Sequence, residues 1–145
     1  MTDRTIGWGR GLHALHGLLL SFPIALFTAA VVTDIAYLKT AEVQWTNFSA
    51  WLITGALVFG GLVAAWALIS LLLGLRSAER TPRLIYFGVL AAMWVLGLVN
   101  AFKHSQDAWS SVGALGLILS ILCSVLALIA GVLAFSSLNT REIAR

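Results

Sequence analysis

Within its long apolar stretches or at their ends, the sequence carries two aspartates and three histidines whose spacing could bring some of them together. Asp34 follows His16 by 18 residues, about five helical turns, so both lie on one helix face roughly 27 Å apart along the axis. Asn100 and His104 are four residues apart and also share a face. A half-buried carboxylate beside an imidazole can pass a proton or bind a polar headgroup. We therefore predict a binding pocket formed by Asp34, Tyr37, Asn100, His104 and Asp107.

A structural role for the same polar residues is the alternative. Asp34, Asn100 and His104 stand near the ends of apolar segments, where polar side chains cap helices and tie loops. The functional interpretation requires the first and third segments to lie near each other, so that their polar residues are at the same depth in the membrane. The distance between Asp34 and His104 is the critical quantity, because an opposite charge acts mainly within about 4–6 Å.

His13 and His16 lie near the other end of the first segment and are the candidates for binding a cofactor. Their three-residue spacing places them on one helix surface. Only Glu79 is available as a further metal ligand at that depth, so no metal site is predicted. Bis-histidine haem ligation needs imidazoles on both sides of the iron, normally from two helices. One chain cannot supply this pair, whereas a dimer that joins His16 to its symmetry mate could hold haem b.

The composition of the chain identifies the solvent in which these side chains act. Of 145 residues, 60% are apolar and 10% are charged, whereas soluble domains carry about 25% charged residues. The chain is therefore predicted to lie in a lipid bilayer, with no room for a separate soluble catalytic domain. Its basic residues are scattered, which argues against a nucleic-acid partner. The sequence has no nucleophile elbow, phosphate loop or zinc-binding helix motif, which argues against hydrolytic or group-transfer catalysis.

Four apolar runs, each long enough to cross a bilayer as a helix, are separated by short polar breaks. They cover residues of about 12–38, 48–75, 84–102 and 109–138. Short connections place consecutive helices antiparallel. We predict an all-α membrane protein in which residues 1–145 form a single transmembrane domain, a four-helix antiparallel bundle.

Arginine and lysine are distributed unequally between the two sides of this bundle. The side with both termini and the second break holds seven arginines, and the other side holds only Lys39 and Lys103. Cytoplasmic segments carry the excess of positive charge. Both termini are therefore predicted to be cytoplasmic, which puts Asp34 and His104 at the outer edge of the membrane.

Short motifs surround the polar residues named above. The first span contains His13-Ala14-Leu15-His16, then Phe22 to Phe27 (FPIALF), then Asp34-Ile35-Ala36-Tyr37. The segment from Asn100 to Trp109 (NAFKHSQDAW) runs from the end of the third span to the start of the fourth. The combination resembles an uncharacterised bacterial family of four-span membrane proteins whose first motif is HPLH, and here Ala14 replaces the proline. The resemblance implies a multi-pass protein of the bacterial inner (cytoplasmic) membrane. Because relatives are sometimes joined to Rieske iron–sulfur or cytochrome-like domains, it also implies a setting near electron transfer.

These expectations combine into one leading functional hypothesis. The chain is expected to be an accessory or anchor subunit beside a membrane redox partner, with a quinone- or lipid-contacting pocket at the outer edge. Its expected partners are the lipid bilayer and either a membrane protein complex or a second copy of the chain. Two alternatives stay open: a haem b carrier formed at a dimer interface, and a small proton-coupled transporter that uses Asp34 and His104.

Overall fold

Four long helices make up the structure, a computed structural model that describes residues 3–106 and 112–143, with side chains for 13–106 and 112–136. They are α1 (Asp3–Thr40), α2 (Val43–Leu73), α3 (Arg80–His104) and α4 (Ala114–Ile143), and the described residues contain no strand. All four are long and apolar enough to cross a membrane. The predicted all-α, four-helix membrane fold is confirmed.

α1 and α3 reach beyond their apolar runs at both ends, whereas α2 ends at Leu73 and α4 begins at Ala114, inside the predicted runs 48–75 and 109–138. α1 begins at Asp3, well before residue 12, and α2 begins at Val43, five residues before Phe48. The reason is that hydropathy marks the part of a helix that contacts hydrocarbon, while the helix itself continues into polar surroundings. The expected start of the fourth span, residues 109–111, lies outside the described residues.

The connection between α1 and α2 consists of two residues, Ala41 and Glu42. Ala41 is left-handed with φ 57°, and its N–H donates to the Tyr37 carbonyl at 2.8 Å, which ends α1. Left-handed backbone costs a residue with a Cβ atom roughly 1–2 kcal/mol. This tight reversal sets α2 directly against α1 and places Ser49 within hydrogen-bonding distance of Asp34.

Arg83 ties the start of α3 to the end of α2. The N–H of Gly74 closes α2 by donating to the Ser70 carbonyl at 3.2 Å. Arg83 Nη1 donates to the same carbonyl at 2.9 Å, while Nη2 donates to Glu79 at 2.7 Å. A Cβ atom on Gly74 would overlap the guanidinium group, so glycine is what admits the arginine at this corner.

The four helices are arranged as a ring in which each helix packs against two neighbours. α1 contacts α2 and α4, and α3 contacts the same two helices, whereas α1 and α3 face each other across the diagonal. The first and third helices are therefore not adjacent, and only long side chains from each can meet at the bundle axis. We call the end that holds the α1–α2 connection the distal end, and the end that holds the α2–α3 connection the proximal end.

Buried positions of α1 recur on α3 at a constant spacing of 70 residues, the spacing that separates Asp34 from His104. Between residues 13 and 40, the part of α1 with described side chains, the buried residues are Leu20, Pro23, Phe27, Ala30 and Asp34; their α3 counterparts are Leu90, Met93, Gly97, Asn100 and His104. A Cβ atom on Gly97 would lie 3.0 Å from Phe27 Cζ, so the ring of one helix fills the space left by the glycine of the other. The hairpins α1–α2 and α3–α4 thus form two similar halves around one axis.

Candidate functional site

The carboxyl group of Asp34 is the centre of a buried polar cluster at the distal end. Ser49 Oγ on α2 donates to Oδ1 at 2.5 Å, and Ser120 Oγ on α4 donates to Oδ2 at 2.6 Å. His104 Nε2 on α3 lies 3.0 Å from Oδ1. Each of the four helices therefore contributes one side chain, and the Asp34 and His104 side chains are both 0% exposed.

His104 has a hydrogen-bond partner at each ring nitrogen. Nδ1 lies 2.9 Å from the Asn100 carbonyl, and since a carbonyl only accepts, Nδ1 must carry a hydrogen. One further proton is then shared between Nε2 and Asp34 Oδ1. It gives either a carboxylate beside an imidazolium or a carboxylic acid beside a neutral imidazole, and the pair is neutral overall in both arrangements.

Asn100 supports this cluster from the side of α4. Its Nδ2 donates to Ser120 Oγ at 2.9 Å, and Ser120 in turn donates to Asp34. The amide oxygen of Asn100, Oδ1, is buried and has no hydrogen-bond partner. Buried polar atoms are nearly always paired, and among the cluster side chains that the structure describes this oxygen is the atom without a partner.

The structure brings together three of the five predicted pocket residues: Asp34, Asn100 and His104. Tyr37 lies one turn after Asp34 and is partly exposed, and Asp107 lies outside the described residues. The sequence-based description of Asp34 as half-buried is wrong, since the residue is 0% exposed. The reason is that all four helices close around the diagonal pair, so the site is an enclosed cluster. That these residues have a function stays a prediction.

Ser49 and Ser120 are the cluster members that sequence reasoning missed. Ser120 belongs to a stripe of small residues on α4 at helical spacing, which indicates helix packing as readily as hydrogen bonding. Ser49 sits among short polar residues near the start of α2. Their depth in the membrane was the signal that could have identified them, because both serines lie near the same membrane edge as Asp34.

At the proximal end, His16 forms a second polar contact across the same diagonal. Its Nε2 lies 2.7 Å from the Tyr86 hydroxyl, and its ring meets the edge of Trp66 at a centroid distance of 5.5 Å. His16 Nδ1 is buried and unpartnered, while His13 is exposed. An iron bound at His16 Nε2 would have to displace the Tyr86 hydroxyl.

An open apolar groove on the outside of α2 and α3 is a separate feature. Gly61, Phe87, Trp94 and neighbouring small residues line it, and the Trp94 indole N–H donates to the Leu57 carbonyl at 3.0 Å. Neither polar cluster opens into this groove. The groove therefore does not supply the pocket that the sequence led us to expect at Asp34.

Comparison with known proteins places the chain by its sequence. The model of the family described as "Predicted membrane protein (DUF2231)" matches residues 12–136. No curated protein matches the chain, and no solved structure matches it. The matched region contains α2, α3, the candidate cluster and the His16–Tyr86 contact, and it covers most of the 145 residues. The chain therefore belongs to this family of predicted membrane proteins.

Proposed function

We propose that this chain is an accessory subunit of the bacterial inner membrane that works beside a redox partner, with both termini in the cytoplasm. In this proposal the Asp34–His104 pair takes up and releases protons that accompany electron transfer to a quinone-type carrier held by the partner. The single observation that carries the proposal is the buried contact of 3.0 Å between His104 Nε2 and Asp34 Oδ1.

The proton inventory of the pair supports this role. Because His104 Nδ1 already donates to the Asn100 carbonyl, one proton remains for the contact between the ring and the carboxyl group. Adding or removing a proton would leave a net charge in an apolar interior, where an isolated charge is costly. Proton exchange at the pair therefore responds strongly to any change of charge nearby. Each electron that a quinone receives adds a negative charge to it until a proton follows, which is such a change.

The position of the pair also suits this role. His104 is the last residue of α3, so the pair lies near one membrane surface, on the outer side if the arginine-rich side is cytoplasmic. The pair is enclosed by its own bundle, so a carrier would exchange protons with it through the distal surface. Polar groups inside a membrane are costly and usually serve a function.

Haem binding and ion-coupled transport receive less support from the same geometry. A haem iron bound at His16 Nε2 would displace the Tyr86 hydroxyl, and Nδ1, the unpartnered nitrogen, is buried inside the bundle. A transport route along the bundle axis would have to cross the buried apolar layers formed by Leu20, Phe27 and Leu90. An absorption spectrum with a Soret band after expression with adequate haem would revive the haem carrier.

Copurification tests the accessory role. The tagged chain is isolated from its native membranes in a mild detergent, and we expect it to bring with it a subunit that carries haem, flavin or an iron–sulfur cluster, visible in the absorption spectrum. A monodisperse population of the chain without such a partner, obtained from gently solubilised membranes, would count decisively against the proposal.

Substitution of Asp34 tests the proton exchange. Asp34→Asn keeps the size of the side chain and removes the proton-exchanging group, and we expect quinone-dependent electron transfer in the complex to fall on the order of 10²-fold, the usual effect of a lost acid–base group. Thr54→Val is the matched control, because Thr54 is exposed and bonds only to the Ala50 carbonyl of its own helix. Equal rates for both variants and the original chain would refute the role of the pair.

A further inference from the structure

We propose that the side-chain amide of Asn100 reverses when Asp34 takes up a proton on Oδ2, which makes Asn100 the positioning residue of the proton site. The inference rests on the proposed proton exchange and identifies the device that accommodates it. Its starting point is Asn100 Oδ1, an unpartnered oxygen in a side chain that is 0% exposed.

The donors are ordered in one direction when Asp34 is ionised. Ser120 has a single hydroxyl hydrogen, which it donates to Asp34 Oδ2 at 2.6 Å. Its oxygen is then free only to accept, so the amide must present Nδ2, which lies 2.9 Å away. The order Asn100 to Ser120 to Asp34 thus determines the orientation of the amide, and it leaves Oδ1 without a donor.

A proton on Asp34 Oδ2 reverses every donor in this series. The carboxylic acid then donates to Ser120 Oγ, and the hydroxyl hydrogen of Ser120 needs a new acceptor. The amide nitrogen of Asn100 cannot accept, whereas its oxygen can. Rotation of the amide by half a turn presents Oδ1 to Ser120 and keeps both hydrogen bonds. The oxygen that lacks a partner in one protonation state is therefore the acceptor required in the other.

The other groups around the carboxyl favour Oδ2 as the oxygen that takes the proton. Among the described residues, His104 is the titratable side chain that contacts Asp34, and it contacts Oδ1. Ser49 from α2 also donates to Oδ1. α4 presents the hydroxyl of Ser120, and on α1 Tyr37 lies one turn further along. Ser49 and His104 already occupy Oδ1. The added proton therefore goes to Oδ2, the oxygen that is linked through Ser120 to Asn100.

Infrared difference spectroscopy tests the reversal directly. The full chain in lipid nanodiscs, with its asparagine side-chain carbonyls labelled by 13C, is compared between alkaline and acidic buffer. We expect the carboxylic acid band of Asp34 and a shift of one asparagine carbonyl to lower frequency to appear together, because that oxygen begins to accept a hydrogen bond. Asn47 and Asn139 also carry the label, so Asn100→Leu identifies the band by its loss.

Two serine variants separate the proposed series from general effects of protonation. In Ser120→Ala the carboxylic acid band should persist while the asparagine shift is lost, since the linking hydroxyl is gone. In Ser49→Ala, the comparison variant, both changes should persist, because Ser49 donates to Oδ1 of the carboxyl group and not to Oδ2, and its other contacts are with Thr33 and the Ala30 carbonyl. Retention of the asparagine shift in Ser120→Ala would overturn the inference.

The outcome in the unaltered chain distinguishes the inference from the proposed function. An Asp34 band that titrates while all asparagine carbonyls stay constant would overturn the amide reversal and leave the proton exchange intact. The absence of any carboxylic acid band removed by Asp34→Asn, together with the absence of any histidine change removed by His104→Gln, would overturn both. Joint appearance of the two bands supports both.

Discussion

The distal and proximal ends of the bundle use equivalent positions for very different contacts. Asp34 and His104 at the distal end, and His16 and Tyr86 at the proximal end, are both pairs between α1 and α3 separated by 70 residues. The distal pair is completely buried and its carboxyl group accepts three contacts. The proximal pair is only partly buried, and one nitrogen of His16 has no partner.

The difference arises from α2 and α4, the helices beside the diagonal. At the distal end they supply hydroxyl groups, Ser49 and Ser120, each aimed at one carboxyl oxygen. At the proximal end α2 supplies the ring of Trp66, which meets His16 edge-on. The same diagonal geometry therefore gives a tightly bonded pair where both flanking helices offer donors, and a loosely bonded pair where α2 offers an aromatic ring.

Removal of Asp34 should have the largest effect on stability. Asp34→Ala leaves His104 and two serines without their acceptor, and loss of one member of a buried pair costs about 3–5 kcal/mol. We expect the free energy of unfolding, measured by SDS titration in mixed micelles, to fall by that amount. His16→Ala is the comparison at the proximal end, and its loss should be smaller. Equal losses would mean that the two ends are equally well bonded.

A methyl group between the two ends should have an intermediate effect. In Gly97→Ala the added Cβ atom would lie 2.9 Å from Leu57 Cδ2 and 3.0 Å from Phe27 Cζ, so we expect a loss of about 1–3 kcal/mol from overpacking. Gly88→Ala on the same helix is the control, because nothing lies within 4 Å of its Cβ position. The same titration measures both variants. A smaller loss in Gly97→Ala than in Gly88→Ala would contradict the close packing of Phe27 and Leu57 around Gly97.

Loss of the proximal hydrogen bond should have the smallest effect. Tyr86→Phe keeps the ring and removes the hydroxyl that contacts His16 Nε2. Hydrogen bonds between membrane helices contribute on average about 0.6 kcal/mol, so the free energy of unfolding should change by about that much. A loss as large as that of Asp34→Ala would show that the proximal pair is as important to the bundle as the distal cluster.

The sequence predicts the helices and one polar pair, and the reasons are physical. Continuous apolar length is a direct requirement of the bilayer, so four helices follow from it. The helical period places His16 and Asp34 on one face, and the antiparallel order places Asp34 level with His104. The spacing of residues along one helix says nothing about which helix faces which, so the diagonal relation of α1 and α3 could not be predicted.

The roles of Ser49 and Ser120 could not be predicted from the sequence for a related reason. A serine on an apolar helix either permits close packing or donates a hydrogen bond, and only the neighbouring helix decides between the two. The enclosure of Asp34 depends on four helices at once, which no single segment encodes. The two-residue length of the connection, Ala41 and Glu42, could not be predicted either, because residues 43–47, which include three polar side chains, are already helical.

The repeat between the two hairpins has a consequence for how the chain assembles in the membrane. The hairpin α1–α2 is synthesised first, and it carries Asp34 into hydrocarbon with Ser49 as its donor. His104 and Ser120 arrive only with the second hairpin. Because equivalent positions hold an acid in one half and a base in the other, two copies of the same hairpin would place like groups together. Pairing of the α1–α2 hairpin with the α3–α4 hairpin is thereby favoured during biosynthesis over pairing of two copies of the same hairpin.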